Sequence, residues 1–380
     1  MKIVLAPDSF KESLTALEAA EAMKAGFQQV FPDGDYALCP MADGGEGTVQ
    51  SLVDATGGTF IYRRVTGPLM EPVDAYFGLS GDGKTAVIEM AQASGLDLVP
   101  ADKRNPMLTT TKGTGELIAA ALDEGVERIV VGIGGSATND GGTGMVQALG
   151  VRLLDERGEE IAGRGAHLQR LKTIDTSGLD SRLANVRIDV ACDVNNPLTG
   201  SNGAAYIYGP QKGATEEQVR ELDVALGHYA NVMKEQLQKD VADINGAGAA
   251  GGLGAGLLAF LDANLMRGGD LVIDTVNLAE RVEGADLVIT GEGGINEQTV
   301  FGKTPICVAR VAKQFDIPVI AIAGSLSKGY ESVYDAGIDA VFSSVSGIMS
   351  LEEAKQQAHE QVQQTAENVA RIIKLTKAES

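Results

Sequence analysis

The stretch 128–142, RIVVGIGGSATNDGG, constrains the fold of this chain more than any other. It opens on a β-branched apolar run, Ile129, Val130 and Val131, which reads as a buried strand. Five glycines follow within the eleven residues 132–142, mixed with Ser136, Thr138, Asn139 and Asp140. Met145, Leu149 and Val151 then supply an amphipathic pattern suited to a helix. A strand, a glycine-rich polar loop and a helix in succession can bind an anion. Glycine lets the backbone approach closely, and helix N-terminal N–H groups point at negative charge.

The same succession recurs near both chain ends. Residues 2–6 read as a strand that runs into the polar loop PDSFKESL. Thr15 and Glu18 form a capping box, and Leu17, Ala20, Met23, Phe27 and Val30 follow at helical spacing until Pro32 ends the helix. A second strand at 36–39 leads into MADGGEGT and a helix at 46–56. From Thr59 the texture changes: 59–66, 73–79 and 84–90 read as strands without helices between them, which indicates a more antiparallel unit. A helix at 113–124 leads to the central strand, 151–165 reads as a polar hairpin, 186–191 as a strand, and 216–238 as a charged helix. NGAGAAGGLGAG then precedes an apolar helix. Alternation returns near Leu271, with strands at 286–290, 318–323 and 339–343 and a C-terminal helix carrying Val362, Ala366, Val369 and Ile373 on one face. The expected fold class is α/β in two domains. A Rossmann-like open parallel sheet is built from both chain ends, 1–58 plus 275–380, and a second mixed α/β domain, 59–274, is inserted into it. The active site is expected in the cleft between them, where ligands meet strand C-terminal ends.

Charge and cysteine usage narrow the function. A formal net charge of -21 argues against nucleic acid or an anionic membrane as partner. It does not exclude a small anionic substrate, whose binding is decided by local donors. Cys39, Cys192 and Cys307 lie far apart and form no CxxC pair, so a reducing cytoplasm fits better than a disulfide framework or zinc site. No run reaches membrane-spanning length, and the N-terminal apolar run is too short for a signal sequence. His167, His228 and His359 are scattered, which leaves Asp and Glu as the available bases.

Three glycine strings compete as nucleotide motifs. GLSGDGKT at 78–85 satisfies the Walker A expression, but Ala86, Val87 and Ile88 continue as a strand where that motif needs a helix, so a β-hairpin is expected. GAGAAG at 246–251 follows a helix and a polar turn and reads as a tight glycine loop for close backbone packing or ligand approach, with a dehydrogenase's dinucleotide site as the alternative. GIGGSA at 132–137 follows a strand, with Asp155 beyond it, and would serve an NAD-dependent hydroxy-acid dehydrogenase. A non-catalytic small-anion-binding protein would use the same loops. The loop nevertheless runs on through Thr138, Asn139 and Asp140, which suits phosphate oxygens better than a Rossmann turn. ADGGEG at 42–47, CDVNNP at 192–197 and GEGGINEQT at 291–299 also follow apolar strands. Four such loops are more than turn chemistry explains. Together they point to phosphoryl transfer, which needs a phosphate cradle, carboxylates for a dication, a positive group and a carboxylate beside the attacking hydroxyl.

With these loops in view, the chain resembles the bacterial glycerate kinases of the type I family. The resemblance is carried by APDSFKESLTA at 6–16, MADGGEGT at 41–48, IEMAQASGL at 88–96, GTGELI at 113–118 and GIGGSATNDGG at 132–142. It continues through ACDVNNPLTGSNGAA at 191–205, GAGAAGGLGAG at 246–256, ITGEGGINEQT at 289–299, GKTP at 302–305 and IAGS at 322–325. The matches are collinear and span nearly the whole chain. The resemblance implies ATP-dependent phosphorylation of D-glycerate with Mg²⁺, commonly on the 2-hydroxyl, although action on the 3-hydroxyl has also been described for the family. One departure stands out: where members usually continue the GEG loop with Arg-Ile-Asp, this chain has Gly294, Ile295 and Asn296.

The expected site follows from strand-end position and loop chemistry. Lys11 and Ser9 meet the glycerate carboxylate, with Asp8, Asp43 and Glu46 around its hydroxyls. Asp43 or Asp193 orients the attacking hydroxyl, so Lys11, Asp43 and Asp193 form the catalytic set. Gly134, Gly135, Ser136, Thr138 and Asn139 cradle the ATP phosphates. Asp140, Asp193 and Glu292 hold Mg²⁺. Assembly into a homo-oligomer is compatible with all of this.

Overall fold

The computed structural model describes residues 1–45 and 47–377; Glu46, expected beside the substrate, lies outside the described residues. In chain order the strands are β1 (Lys2–Pro7), β2 (Asp35–Leu38), β3 (Thr59–Thr66), β4 (Pro72–Leu79), β5 (Thr85–Glu89), β6 (Arg128–Gly132), β7 (Arg152–Leu154), β8 (Thr173–Asp175), β9 (Arg187–Ala191), β10 (Asn264–Met266), β11 (Leu287–Gly291), β12 (Gly294–Ile295), β13 (Val319–Ala323), β14 (Ser325–Leu326) and β15 (Ala340–Ser343). The chain divides into two compact units, Met1–Gly57 with Gly269–Ser380, and Gly58–Gly268. Among the described residues, no helix is long and apolar enough to cross a membrane.

The first unit is a wholly parallel sheet in the order β15-β13-β11-β1-β2. Its central strands β1, β11 and β13 are near-continuous buried apolar runs, as the middle of a sheet covered on both faces requires. The first helix starts where the sequence places it. The Thr15 hydroxyl accepts from Glu18 N at 3.2 Å, and the Glu18 carboxylate accepts from Thr15 N at 2.8 Å. That helix, Ala16–Gln28, buries Met23 and Phe27 with Ile3, Leu5 and Ile289 of the sheet and with Val362 and Ala366 of the C-terminal helix Ala358–Lys377. Sequential strands leave β1 toward β2 on one side and toward β11 on the other. The β1/β11 boundary is therefore the topological switch point, where open α/β sheets bind ligands beyond the strand C-termini.

The second unit holds a mixed sheet in the order β10-β9-β6-β5-β4-β3. β5, β6, β9 and β10 are parallel, while β3, β4 and the start of β5 pair antiparallel. The Walker-like string is the β4–β5 hairpin turn, with Gly83 at φ +70° and Lys84 paired to Glu127 at 3.1 Å on the surface. The 246–251 glycines also pack. Ala250, Gly251 and Gly252 make a left-handed kink inside the helix Ala249–Leu261, and a Cβ on Gly251 would sit 1.9 Å from the Thr138 carbonyl oxygen. The hairpin expected within 151–165 is present as a short turn, with Asp155 N donating to the Glu159 carbonyl at 2.9 Å and Ile161 N to the Leu153 carbonyl at 2.8 Å around the Leu154–Glu160 bridge, and β7 pairs in addition with β8. Burial of Leu153 and Ile174 in the core decides that pairing.

The closest helix crossing of the first unit is at Gly26, where a Cβ would lie 2.2 Å from the Gln363 carbonyl oxygen and 2.8 Å from the Ala366 Cβ. The Gly26→Ala variant is expected to lose about 1–3 kcal/mol by overpacking, read as a lower urea midpoint for the unit that contains it.

Candidate active site

In the first unit, the parallel β1–β11 pair brings PDSFK and GEGGI out at the same sheet edge. Asp8 N donates to the Gly291 carbonyl at 2.8 Å, extending the ladder by one bond and fixing where the Asp8 side chain starts. Its carboxylate accepts from Ser9 N at 2.6 Å and from Thr304 Oγ1 at 2.5 Å. Thr304 opens the helix Thr304–Lys313, with Pro305 in its first turn. Glu292 accepts from Thr299 Oγ1 at 2.9 Å and from Lys303 Nζ at 3.4 Å. Asp43, in the loop after β2, accepts from Gly45 N at 3.0 Å.

The electrostatics tie these carboxylates together. Burial pushes the Asp8 carboxyl up to about 6; the hydrogen bonds from Thr304 and Ser9 oppose the rise, and the charges of Asp43 and Glu292 add to it. Burial also raises Glu292, against the pull of Lys303 and Thr299. Asp8, Asp43 and Glu292 thus form one interacting set at the switch point. Lys11 is exposed and lines a cavity of about 120 Å³ with Ser13, Gly293, Ser325, Ser344 and Gln361, beyond the ends of β1, β11, β13 and β15.

Lys303 and Thr304 carried no role in the sequence reading, although GKTP at 302–305 belongs to the resemblance. Thr304 meets Asp8 across 296 residues of chain, a juxtaposition that only the fold creates. Asn296, at the departure from the family pattern, makes a local turn: its Oδ1 accepts from Gln298 N at 2.8 Å and its N–H donates to Thr299 Oγ1 at 3.2 Å.

In the second unit, the loop after β6 is stitched to the segment after β5. Leu96 N donates to the Gly135 carbonyl at 2.8 Å and Ala137 N to the Ser94 carbonyl at 2.9 Å. Gly134 and Gly135 are exposed, whereas Ser136, Thr138, Asn139 and Asp140 are buried. These are four of the residues expected to meet phosphate or metal, and their side chains are turned inward. Asp140 is wholly buried and accepts from Thr111 N and Thr111 Oγ1, each at 2.8 Å, from Gly142 N at 3.1 Å and from Gly144 N at 3.2 Å. It shapes the loop from within. Burial pushes its carboxyl up, against those same bonds. Ser136 Oγ accepts from Lys212 Nζ at 2.6 Å, and the Thr138 carbonyl accepts from the same ammonium at 2.7 Å. Thr138 Oγ1 and both amide atoms of Asn139 are buried without a hydrogen-bond partner.

Lys212 is the residue that sequence reasoning missed most completely. A lone lysine in a PQKGA turn reads as a solvated charge, yet this one is 2% exposed. Burial lowers its pKa to about 7, with the Asp140 charge opposing. Asp193 lies exposed at the end of β9, where its Oδ1 accepts from Gly268 N at 3.0 Å. Among the described residues, no three His, Cys, Asp or Glu side chains converge to hold a metal ion by themselves.

A two-unit α/β protein with carboxylates at a sheet switch point and a glycine loop at a second sheet is an arrangement suited to a small-molecule phosphotransferase. The sequence pattern of the glycerate kinase family matches residues 3–374. A glycerate kinase of Bacillus subtilis (strain 168) is 61% identical over 377 residues, 99% of either chain. The glycerate 2-kinase of Escherichia coli (strain K12) is 55% identical over 373 residues, 98% of either chain. A crystal structure assigned as a candidate glycerate kinase 2 from Salmonella typhimurium LT2 superposes with a TM-score of 0.93 at 55% identity, covering 100% of this chain and 99% of that one. The chain belongs to the glycerate kinase family, and it is an enzyme, a kinase.

The raised Asp8 carboxyl has a consequence for stability. An acid with a folded pKa of about 6 against 3.8 unfolded binds protons more readily when folded, so its ionisation destabilises the fold as pH rises through that window. Asp8→Asn is therefore expected to melt above the wild type at pH 7.5, with the difference shrinking toward pH 4; thermal scans across that range read it directly.

Proposed function

We propose that the protein transfers the γ-phosphoryl group of ATP to the 2-hydroxyl of D-glycerate, forming 2-phosphoglycerate and ADP. The observation that carries this reading is the Asp8 carboxyl at the β1/β11 switch point, held by Thr304 and Ser9 with a pKa of about 6. A base poised just below neutral pH is ionised in use, yet basic enough to take a proton from a hydroxyl. The choice of the 2-hydroxyl is supported by the E. coli relative, described as a glycerate 2-kinase.

In this mechanism Ser9 and Lys11 bind the glycerate carboxylate and orient the acceptor. Asp8 takes the hydroxyl proton as the glycerate oxygen bonds to phosphorus and the bond from phosphorus to the ADP oxygen breaks. This gives Asp8 the base role that was expected of Asp43 or Asp193. The N–H groups of the 134–135 turn meet the nucleotide phosphates, a contact that needs no side chain. Lys303 adds a positive charge near Glu292.

The donor set suits Mg²⁺, which typically takes one or two carboxylates together with phosphate oxygens. Asp43 and Glu292 are part-buried carboxylates of that kind, and Asp193 is a further candidate in the second unit. When bound, Mg²⁺ would neutralise phosphate charge. The three cysteines are free thiols, in keeping with a cytoplasmic location.

Incubation with ATP, Mg²⁺ and D-glycerate should yield a product whose proton-coupled phosphorus signal is a doublet, from the single proton on carbon 2. A triplet would place the phosphate on oxygen 3 and overturn the regiochemistry. For the wild type, kcat/KM for glycerate should fall as pH drops below about 6. Asp8→Asn should lose roughly 10²–10⁴-fold in kcat; retention of near-wild-type turnover would remove Asp8 from the chemistry.

A further inference from the structure

The loop after β6 has two faces. Its front is the 134–135 turn, where a Cβ on Gly134 would meet nothing within 4 Å and Gly135 holds a φ of +73°. Its back is tied on one side by the backbone bonds to Ser94 and Leu96. On the other side Lys212 and Thr109 hold it: the Lys212 ammonium spans Ser136 Oγ at 2.6 Å and the Thr138 carbonyl at 2.7 Å, and the Thr109 hydroxyl donates to the Ala137 carbonyl between them at 2.9 Å.

That ammonium is aimed by a fixed turn. Lys212 N donates to the Gly209 carbonyl at 3.0 Å, and Gly213 follows at φ +92°, packed so closely that a Cβ there would lie 2.3 Å from the Arg104 carbonyl oxygen. Burying an ammonium against a hydroxyl and a carbonyl is an expensive way to tie a loop, because neither partner returns the lost hydration in full. A polyphosphate on the front of the same loop would offset that cost. In a desolvated setting its charge is felt through one layer of backbone with little screening.

We propose that Lys212 is the positioning residue that holds the 134–135 turn in its nucleotide-receiving shape, an inference that rests on the assignment of that turn to the ATP phosphates. Lys212 touches the loop and is walled off from solvent, so it acts through Ser136 and Thr138 and is not itself a catalytic residue. Losing it should weaken ATP binding while leaving the glycerate side of the reaction alone.

The test compares three variants by steady-state kinetics, with thermal unfolding to establish that each is folded. Lys212→Met keeps the length of the side chain and removes the charge. It should raise the KM for ATP about 10- to 100-fold with the KM for glycerate within about twofold. Ser136→Ala removes one of the two contacts and should raise the ATP KM less, in the same direction. Gly135→Val alters the front of the loop and tests the nucleotide assignment itself.

An unchanged ATP KM in folded Lys212→Met, beside a raised one in Gly135→Val, would overturn the role of Lys212 and leave the nucleotide assignment standing. An unchanged ATP KM in both would overturn the assignment and the inference together. Equal rises in both KM values, or a loss of kcat alone, would make Lys212 a general structural residue and reject the proposal. If Lys212→Met does not fold, Ser136→Ala decides: an ATP KM equal to the wild type rejects the role.

Discussion

The parallel pairing of β1 with β11 is the contact on which the first unit depends. It joins Ile3 to Leu287 and continues to Pro7 and Gly291, 284 residues apart in sequence. Ile3, Val4, Leu5, Val288 and Ile289 are fully buried, and Leu287 is nearly so. Loop-closure entropy grows only slowly with length. The closure here is easier still, because the intervening Gly58–Gly268 is a compact unit with its own core. The pairing also assembles the candidate site. The main-chain bond from Asp8 to Gly291 continues the ladder past the last paired residues, so two loops distant in sequence leave the sheet together with Asp8 and Glu292 at their starts.

Two aspartates, Asp140 wholly buried and Asp8 partly so, illustrate how environment sets the behaviour of like residues. Asp140 has its acceptor capacity taken up by backbone N–H groups and the Thr111 hydroxyl, so its charge is spent on loop shape. Asp8 receives only two hydrogen bonds, and burial and two neighbouring carboxylates oppose its charge, so it holds a proton more firmly than an ordinary carboxyl, up to a pKa of about 6. Burial raises both. What differs is how fully the compensating donors saturate the group: four hydrogen bonds reach Asp140 and two reach Asp8.

The alternation of strand and helix was legible because buried parallel strands are uninterrupted apolar runs. β11, β13 and β15 lie within about a residue of their sequence-read positions, and the capping box at Thr15 starts its helix as read. The Walker-like string was legible as a hairpin because Val87 and Ile88 continue as strand. The direction of Ser136, Thr138, Asn139 and Asp140 was not legible. Polar side chains in a glycine loop look the same in sequence whether they face ligand or core. The decision rests on Ser94 and Leu96, Thr111 and Lys212, which reach the loop from three separate places in the chain. Lys303 and Thr304 were hidden for the same reason, since their partners Glu292 and Asp8 come from other segments.

A chain of formal net charge -21 that handles two anionic substrates poses an electrostatic problem whose answer is local. At physiological ionic strength charges separated by more than about 8 Å are largely screened, so most of the surface carboxylates count for little at the site. What remains in the first unit is Lys11 at the cavity beyond the strand ends and Lys303 beside Glu292; in the second unit the backbone of the 134–135 turn is exposed, with Lys212 bound to the loop behind it. Backbone N–H groups are especially suited to this setting. They offer partial positive charge that no proton transfer can remove, and they leave the few lysines free to be placed where a full charge is needed.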